Sequence, residues 1–301
     1  MGILFSHVAL LAQAKQAGVC FDRILTIGHQ QSYLSQSQIQ RLATRYGPQL
    51  GAAALAREKY VDDLFRSFLG ARDVQSLDYS DFEGSEILHD MNEPIDSVHH
   101  DKFDVVIDGG SLEHIFNFPA AIANCMKLVK PGGSLFVFTM ANNHAGHGFY
   151  QFSPELFFRI LQPENGFEVR QVILEQHSYP GAELGYQTQC YSVVDPALLK
   201  TRVGLVSKSP VMMMAHALKT ATVPLFTKAP IQSDYATAYQ SGDKPTDAAP
   251  TSRSVYQTCR RLARTCFRAL PIRWQHYVDG QRQLRHYSFS NKQFYQRWDP
   301  V

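Results

Sequence analysis

The chain has 301 residues, 45% of them hydrophobic and 19% charged; that suffices for one large α/β domain with an appendage, or two modest domains, and is too apolar for a disordered chain. The net charge of +2 hides an asymmetry, because the residues from Arg253 onward hold nine Arg and one Lys against Asp279 and Asp299, whereas those before hold 19 basic and 25 acidic side chains. An acidic body therefore carries a basic tail. No run approaches the roughly 18 apolar residues of a membrane span, and Cys20, Cys125, Cys190, Cys259 and Cys266 show no CxxC spacing, which argues against a disulfide framework or a zinc site and for a reducing compartment, the cytoplasm.

The opening MGILFSHVALLAQA imitates a signal peptide but lacks a basic n-region, and its MGxxxS start matters for myristoylation only in a eukaryotic host. The reading adopted is a helix over Ser6–Gln16. A first strand follows at Arg23–Gly28 (RILTIG). Two helices, Ser37–Tyr46 and Ala52–Leu69, fill the long connection to the next strand, the second with apolar residues at Leu55, Val61, Leu64, Phe65 and Phe68. Strands are expected at Val74–Tyr79, Glu86–Asp90 and Phe103–Asp108, the last (FDVVID) nearly continuously apolar, as for a strand buried on both faces of a parallel sheet. Pro119–Val129 reads as a helix with Pro in its first turn, stopped by KPGG. Ser134–Met140 is a fifth strand, SPELFFRIL opens a helix on the N-cap Ser153, and Phe167–Glu175 and Val211–Lys219 are further strands. Met212–Met214 read as part of a buried strand. Residues 230–254 shift to Gln, Ser, Thr, Asp, Ala and Pro without periodicity and read as a linker. Beyond it, 255–301 is a basic, aromatic-rich extension whose Val255–Leu270 has helical spacing with Arg260, Arg261, Arg264 and Arg268 on one face.

Strands alternating with helices predict a doubly wound, mostly parallel sheet over residues 1–229, with ligands outside the carboxyl ends of its strands. Those ends carry Gly28, Asp78, Asp90 and the run Asp108–Gly109–Gly110–Ser111 followed by Leu112–Glu113–His114. A carboxylate after the second strand can accept hydrogen bonds from both hydroxyls of a ribose, and one a strand further on can accept from an adenine amino group. Each residue also has a purely structural reading: strand-end turn for Asp78, turn former beside Asn92 and Pro94 for Asp90, helix cap for Asp108 and Glu113.

The runs HDMN (89–92), FDVVIDGGSLEHI (103–115) and CMKLVKPGGSLFVFT (125–139) resemble the core of the class I S-adenosylmethionine-dependent methyltransferases, over roughly residues 23–219. The resemblance implies a Rossmann-like seven-stranded sheet, S-adenosylmethionine as cofactor, Gly28 beneath its methionine part, Asp78 on the ribose, Asp90 and Met91 flanking the adenine, and Asp108 to Ser111, Gly109 included, beside the sulfonium. The first loop departs from the family pattern of an acidic residue and three alternating glycines, since Thr26, Gly28, Gln30 and Ser32 stand there. S-adenosylmethionine has no phosphate for glycine amides to cradle, and the amides of Gln30 and Gln31 can instead meet its carboxylate, ammonium and ribose.

His114, and His144 and His147 in NNHAGHGFYQF (142–152), follow the fourth and fifth strands. A histidine there suits a general base for a hydroxyl acceptor, worth about 10² to 10⁴ in rate. No third ligand at convincing spacing joins His144 and His147, so no metal site is expected. The expected activity is methyl transfer to oxygen of a small-molecule or carbohydrate-like acceptor. Two alternatives stay open: a methyltransferase-like binding module without catalysis, and a nucleic-acid methyltransferase guided by residues 251–301, whose Arg and aromatic residues also suit an anionic membrane surface. The tail packing on the acidic body is the simpler reading.

Overall fold

A computed structural model describes residues 2–47, 59–179, 181, 188–241 and 271–300. The helix expected over Val255–Leu270, residues 242–254 and the start of the helix expected at Ala52 lie outside them. In chain order the elements are β1 (Gly2–Ile3), α1 (Phe5–Gln16), β2 (Arg23–Ile27), β3 (Gln31–Ser32), α2 (Gln36–Tyr46), α3 (Asp62–Leu64) running into a π-turn at Phe65–Leu69, β4 (Asp73–Asp78), β5 (Ile87–Leu88), β6 (Phe103–Asp108), α4 (Phe118–Leu128), β7 (Val129–Asn142), α5 (Pro154–Ile160), β8 (Phe167–Gln176), β9 (Gln189–Val193), α6 (Pro196–Leu199), β10 (Val211–Lys219), α7 (Ser233–Ser241), α8 (Ile272–His286) and β11 (Tyr295–Trp298). KPGG does not separate α4 from a strand, because β7 begins at Val129 and runs through it with Gly132 at φ +81°.

The main sheet has nine strands in the order β11-β9-β8-β10-β7-β6-β2-β4-β5, two more than the resemblance implies. Strands β5, β4, β2, β6 and β7 are parallel, and β10, β8 and β9 join antiparallel. The sheet is therefore mixed, and its crossover reverses between β2 and β6. That reversal opens the crevice in which doubly wound folds bind ligands. Strand β6 is buried along its whole length, which follows from its apolar run and from layers on both faces. On one face α1, with Val8, Leu10 and Leu11 fully buried, covers Phe136, Phe138, Val105 and Ile107. Each such side chain stabilises the fold by about 1.5–3 kcal/mol. Lys219 at the opposite end of the sheet is buried, and its ammonium donates to Asp101 Oδ1 (2.6 Å) and to the carbonyls of Met126 (3.0 Å) and Val129 (2.7 Å).

The described residues fall into two compact units. The first comprises Met1–Val193, Lys208–Pro230 and Arg297–Val301; within it Trp298 Nε1 donates to Gln13 Oε1 (3.1 Å) and Tyr46 Oη to the Pro300 carbonyl (2.6 Å). The second comprises Val194–Ser207 and Ile231–Gln296. It is held by Arg202 against Asp234 (2.6 Å), by buried Phe294 and Tyr295, and by the Tyr295 hydroxyl on the Gly204 carbonyl (2.8 Å). Residues 194–207 thus group with the later part of the chain, and the segment read as a linker contains α7.

Candidate active site

The cofactor loop starts where β2 ends. Gly28 takes φ +73°, a left-handed conformation that side chains avoid, and its N–H donates to the Leu77 carbonyl at 2.7 Å. The chain then does not curl into a glycine-rich turn. It becomes β3, clasped between β1 (Gly2 beside Gln31, Ile3 beside Ser32) and residues 59–61, through Ser32 N on the Lys59 carbonyl (3.0 Å) and Val61 N on the Gln30 carbonyl (3.0 Å). Gln30 turns inward and is buried, donating from Nε2 to the Ile27 carbonyl at 2.5 Å. It fills the space against Gly109, where an added Cβ would come within 2.6 Å of Gln30 Cδ. Gln31 accepts from the Tyr33 hydroxyl at 3.3 Å.

A cleft of about 420 Å³ opens at the switch point, lined by Gly28, Asp78, Asp90, Met91, Ser111 and His114 among others. Asp78 accepts at Oδ1 from the Tyr79 N–H (2.6 Å), while Oδ2 lies 4.0 Å from where Gly28 would carry a Cβ. That carboxylate therefore faces the same hollow as Gly28. Asp90 closes a turn, accepting at Oδ1 from Asn92 N (2.9 Å) and Nδ2 (2.8 Å). These bonds hold its carboxyl below the usual range. Met91 is buried, an apolar wall beside it. An adenosine-bearing ligand fits this set, with carboxylates at two neighbouring strand ends, an apolar wall, and a glycine where the ligand backbone must approach closely. The structure thus brings Gly28, Asp78, Asp90 and Met91 together in the cleft. Gln30, Gln31, Asp108 and Gly109 sit behind the lining.

Asp108 is fully buried and works on the turn itself, accepting at Oδ1 from Ser111 N (2.9 Å) and Leu112 N (3.3 Å). Burial, and secondarily the neighbouring Glu113, push its carboxyl well above the ordinary range. The capped turn presents Ser111, whose hydroxyl donates to the Ile27 carbonyl (2.9 Å), and His114 to the cleft. Glu113 points inward with Oε2 accepting from the Thr139 hydroxyl at 2.8 Å, and burial raises it to about 7. Its other oxygen lies 3.7 Å from His147 Nε2. The loop 144–150 wraps Glu113, because the N–H groups of Phe149 (2.7 Å) and Tyr150 (3.2 Å) both donate to its carbonyl, and Gly148 lies so close that a Cβ there would be 2.7 Å from that oxygen. The three histidines converge: His114 and His147 ring centres are 5.0 Å apart, His144 and His147 6.3 Å. Burial, then the neighbouring His147, lower the His114 imidazole below its ordinary value. A lowered imidazole is neutral near pH 7 and able to accept a proton. Glu113, His114 and His147 each offer one ligand atom, all within 4.8 Å of one another, so the group has the means to hold a metal ion. Sequence spacing hid that possibility because the acidic member lies more than thirty residues from His147. Ser111, Tyr79, His89, Asn92 and Ile115 also line the cleft; Tyr79 and Asn92 adjoin residues singled out from the sequence, and adjacency was the signal available.

A switch-point cleft with carboxylates at successive strand ends, in a sheet of this order, defines a Rossmann-like α/β fold, and in sequence the chain is similar to curated O-methyltransferases. No protein-family model matches the chain. Its curated relatives include the ubiquinone biosynthesis O-methyltransferase of Pseudomonas aeruginosa PAO1, 28% identical over 159 residues, or 53% of this chain and 61% of that protein. The protein of the same name from Aromatoleum aromaticum is 29% identical over 147 residues, 49% and 56% of the two chains. The match thus spans less than two thirds of these relatives' length. Similar solved structures include the trans-methyltransferase CalH in complex with SAH (12% identity, 71% of this chain and 56% of that one, TM-score 0.36) and YcgJ of Bacillus subtilis (12%, 71% and 99%, TM-score 0.37).

Proposed function

We propose that this protein transfers a methyl group from S-adenosylmethionine to a hydroxyl oxygen of a small-molecule or carbohydrate-like acceptor. The observation that carries the reading is one continuous cleft with Gly28, Asp78, Asp90 and Met91 on one side and His114, backed by His147 and Glu113, on the other. The O-methyltransferase names of the curated relatives support oxygen as the methylated atom. When bound, S-adenosylmethionine supplies a methyl group on a positively charged sulfur, and a new C–O bond forms as the C–S bond breaks, the electron pair staying on sulfur. Asp78 holds the ribose hydroxyls, Asp90 and Met91 flank the base, and Gly28 leaves room for the amino-acid end. His114 accepts the acceptor's hydroxyl proton, with His147 beside it and the buried Glu113 carboxyl behind. Alignment of the attacking oxygen is the larger contribution, for which effective molarities of about 10⁵ to 10⁸ M are known in well-oriented systems.

The exposed rings of Phe116 and Phe149, in edge-to-face contact at 6.1 Å, flank the histidines and offer a stacking surface for the flat face of a sugar or small ring. Calorimetric titration with S-adenosylmethionine and S-adenosylhomocysteine tests the cofactor half of the reading. Binding is expected, and Asp78→Ala weakens it by about 1–3 kcal/mol through loss of charge-assisted hydrogen bonds. A folded protein that binds neither at millimolar concentration refutes the reading. Methyl transfer to a panel of hydroxylated rings and glycosides tests the acceptor half, and transfer only to RNA or DNA would refute it.

A further inference from the structure

The loop after β2 lacks the glycines of its family pattern, yet it forms one wall of the cleft, so something else must fix its position. His29, immediately after Gly28, is not part of the lining. Its ring lies face to face on Tyr60, with centroids 3.6 Å apart and planes 11° from parallel. Nδ1 meets the Glu83 carbonyl at 2.7 Å and Nε2 meets Asp62 Oδ2 at 3.0 Å. Tyr60 reaches the same neighbour, its hydroxyl donating to Glu83 Oε1 at 3.2 Å, with Lys59 Nζ at 3.6 Å from that oxygen. Asp62 opens α3, and Glu83 lies on the loop that leaves β4 at Asp78 and Tyr79. One side chain thus joins the two loops that wall the cleft, the Gly28 loop and the loop after Asp78, to the first turn of a helix.

We propose that His29 is a positioning residue for cofactor binding, and that with Asp62, Tyr60 and Glu83 it forms a latch replacing the missing glycine-rich turn. The proposal rests on the cleft being the S-adenosylmethionine site. His29, Tyr60, Asp62 and Glu83 do not line the cleft, so the latch acts by fixing Gly28 relative to Asp78, whose Oδ2 lies 4.0 Å from the position of a Gly28 Cβ. A ligand with both an adenosine and an amino-acid end spans the two loops. Adenosine alone needs only Asp78, Asp90 and Met91, which the ends of β4 and β5 hold without the latch.

That difference gives the test, made by titrating S-adenosylhomocysteine and, separately, adenosine into the full chain. His29→Ala is expected to weaken S-adenosylhomocysteine about tenfold or more, the loss of a charge-assisted bond and its geometry, and to leave adenosine within about twofold. Asp62→Asn, which keeps the shape and an acceptor oxygen but not the charge, gives an intermediate loss. The double variant is no weaker than His29→Ala alone, because both changes break one unit. Tyr60→Phe keeps the ring on His29 and removes the hydroxyl that donates to Glu83 and accepts from Lys59 Nζ (2.7 Å), and provides the same comparison should His29→Ala not fold. Equal losses for both ligands, or none for either, overturn the latch. Failure of the unaltered protein to bind S-adenosylhomocysteine overturns the cofactor reading and the latch with it.

Discussion

Replacing Glu113 by Gln changes one atom in a buried, crowded place and has a calculable pH signature. The side chain is wholly buried, and burial raises its carboxyl from an ordinary value of 4.5 to about 7. A folded-state value above the unfolded one means that the group stabilises the fold fully below about pH 4.5 and that this contribution is lost as pH rises through about 7. At roughly 1.4 kcal/mol per unit, ionised Glu113 costs the folded protein about 3 kcal/mol at pH 8 relative to pH 4. Asp108, raised by the same burial and then by Glu113, adds to the cost in the same direction. Glutamine keeps the shape and an oxygen for the Thr139 hydroxyl but cannot ionise. Glu113→Gln should therefore gain on the unaltered protein by about 2–3 kcal/mol on going from pH 5 to pH 8. Urea unfolding at a series of pH values measures this directly. A difference between the two proteins that is the same at pH 5 and pH 8 would refute the burial argument.

His114→Ala is expected to lower the methyl-transfer rate about 10²- to 10⁴-fold with little change in S-adenosylhomocysteine affinity. The acid limb of the pH–rate profile should lie below the ordinary histidine value of 6.5, since burial and His147 both lower His114. His147→Ala removes one of those causes and should move the limb upward, whereas a limb near pH 7 that vanishes in Glu113→Gln would assign proton acceptance to Glu113. Gly109→Ala drives a methyl group into Gln30, which is buried and pinned to the Ile27 carbonyl; a loss of about 2–4 kcal/mol is expected from overpacking and the broken bond, and Gln30→Ala in the same chain should recover part of it. A thermal unfolding temperature unchanged in Gly109→Ala would refute the placement of Gln30.

Local pattern made much of this protein legible. FDVVID is a strand because its apolar run has no period and is buried on both faces, and the carboxylates Asp78 and Asp90 fall at strand ends because short α/β strands end where polar residues begin. Pro119 marks the first turn of α4 for an equally local reason, whereas KPGG lies inside β7 and does not end the helix. The packing roles of Gln30 and Gly109 were not legible, and of the two readings open for Asp108, cap or cofactor contact, the structure favours the cap. Whether an amide faces ligand or fills a gap depends on what packs against it, and here that partner is Gly109, seventy-nine residues away. Asp108 caps the turn that presents His114, a role that depends on which way its side chain leaves the strand.

The sequence by itself determined the alternation of strands and helices, the acidic ends of consecutive strands and the clustering of histidines after the fourth and fifth, since each follows from residues close together in the chain. Only the tertiary structure decided that the loop after β2 becomes a strand clasped by residues 2–3 and 59–61, that Glu113 turns inward to meet Thr139 and His147, and that His29 bridges Asp62 and Glu83. Those contacts join segments tens of residues apart, and their energies depend on burial and distance, which no local pattern encodes.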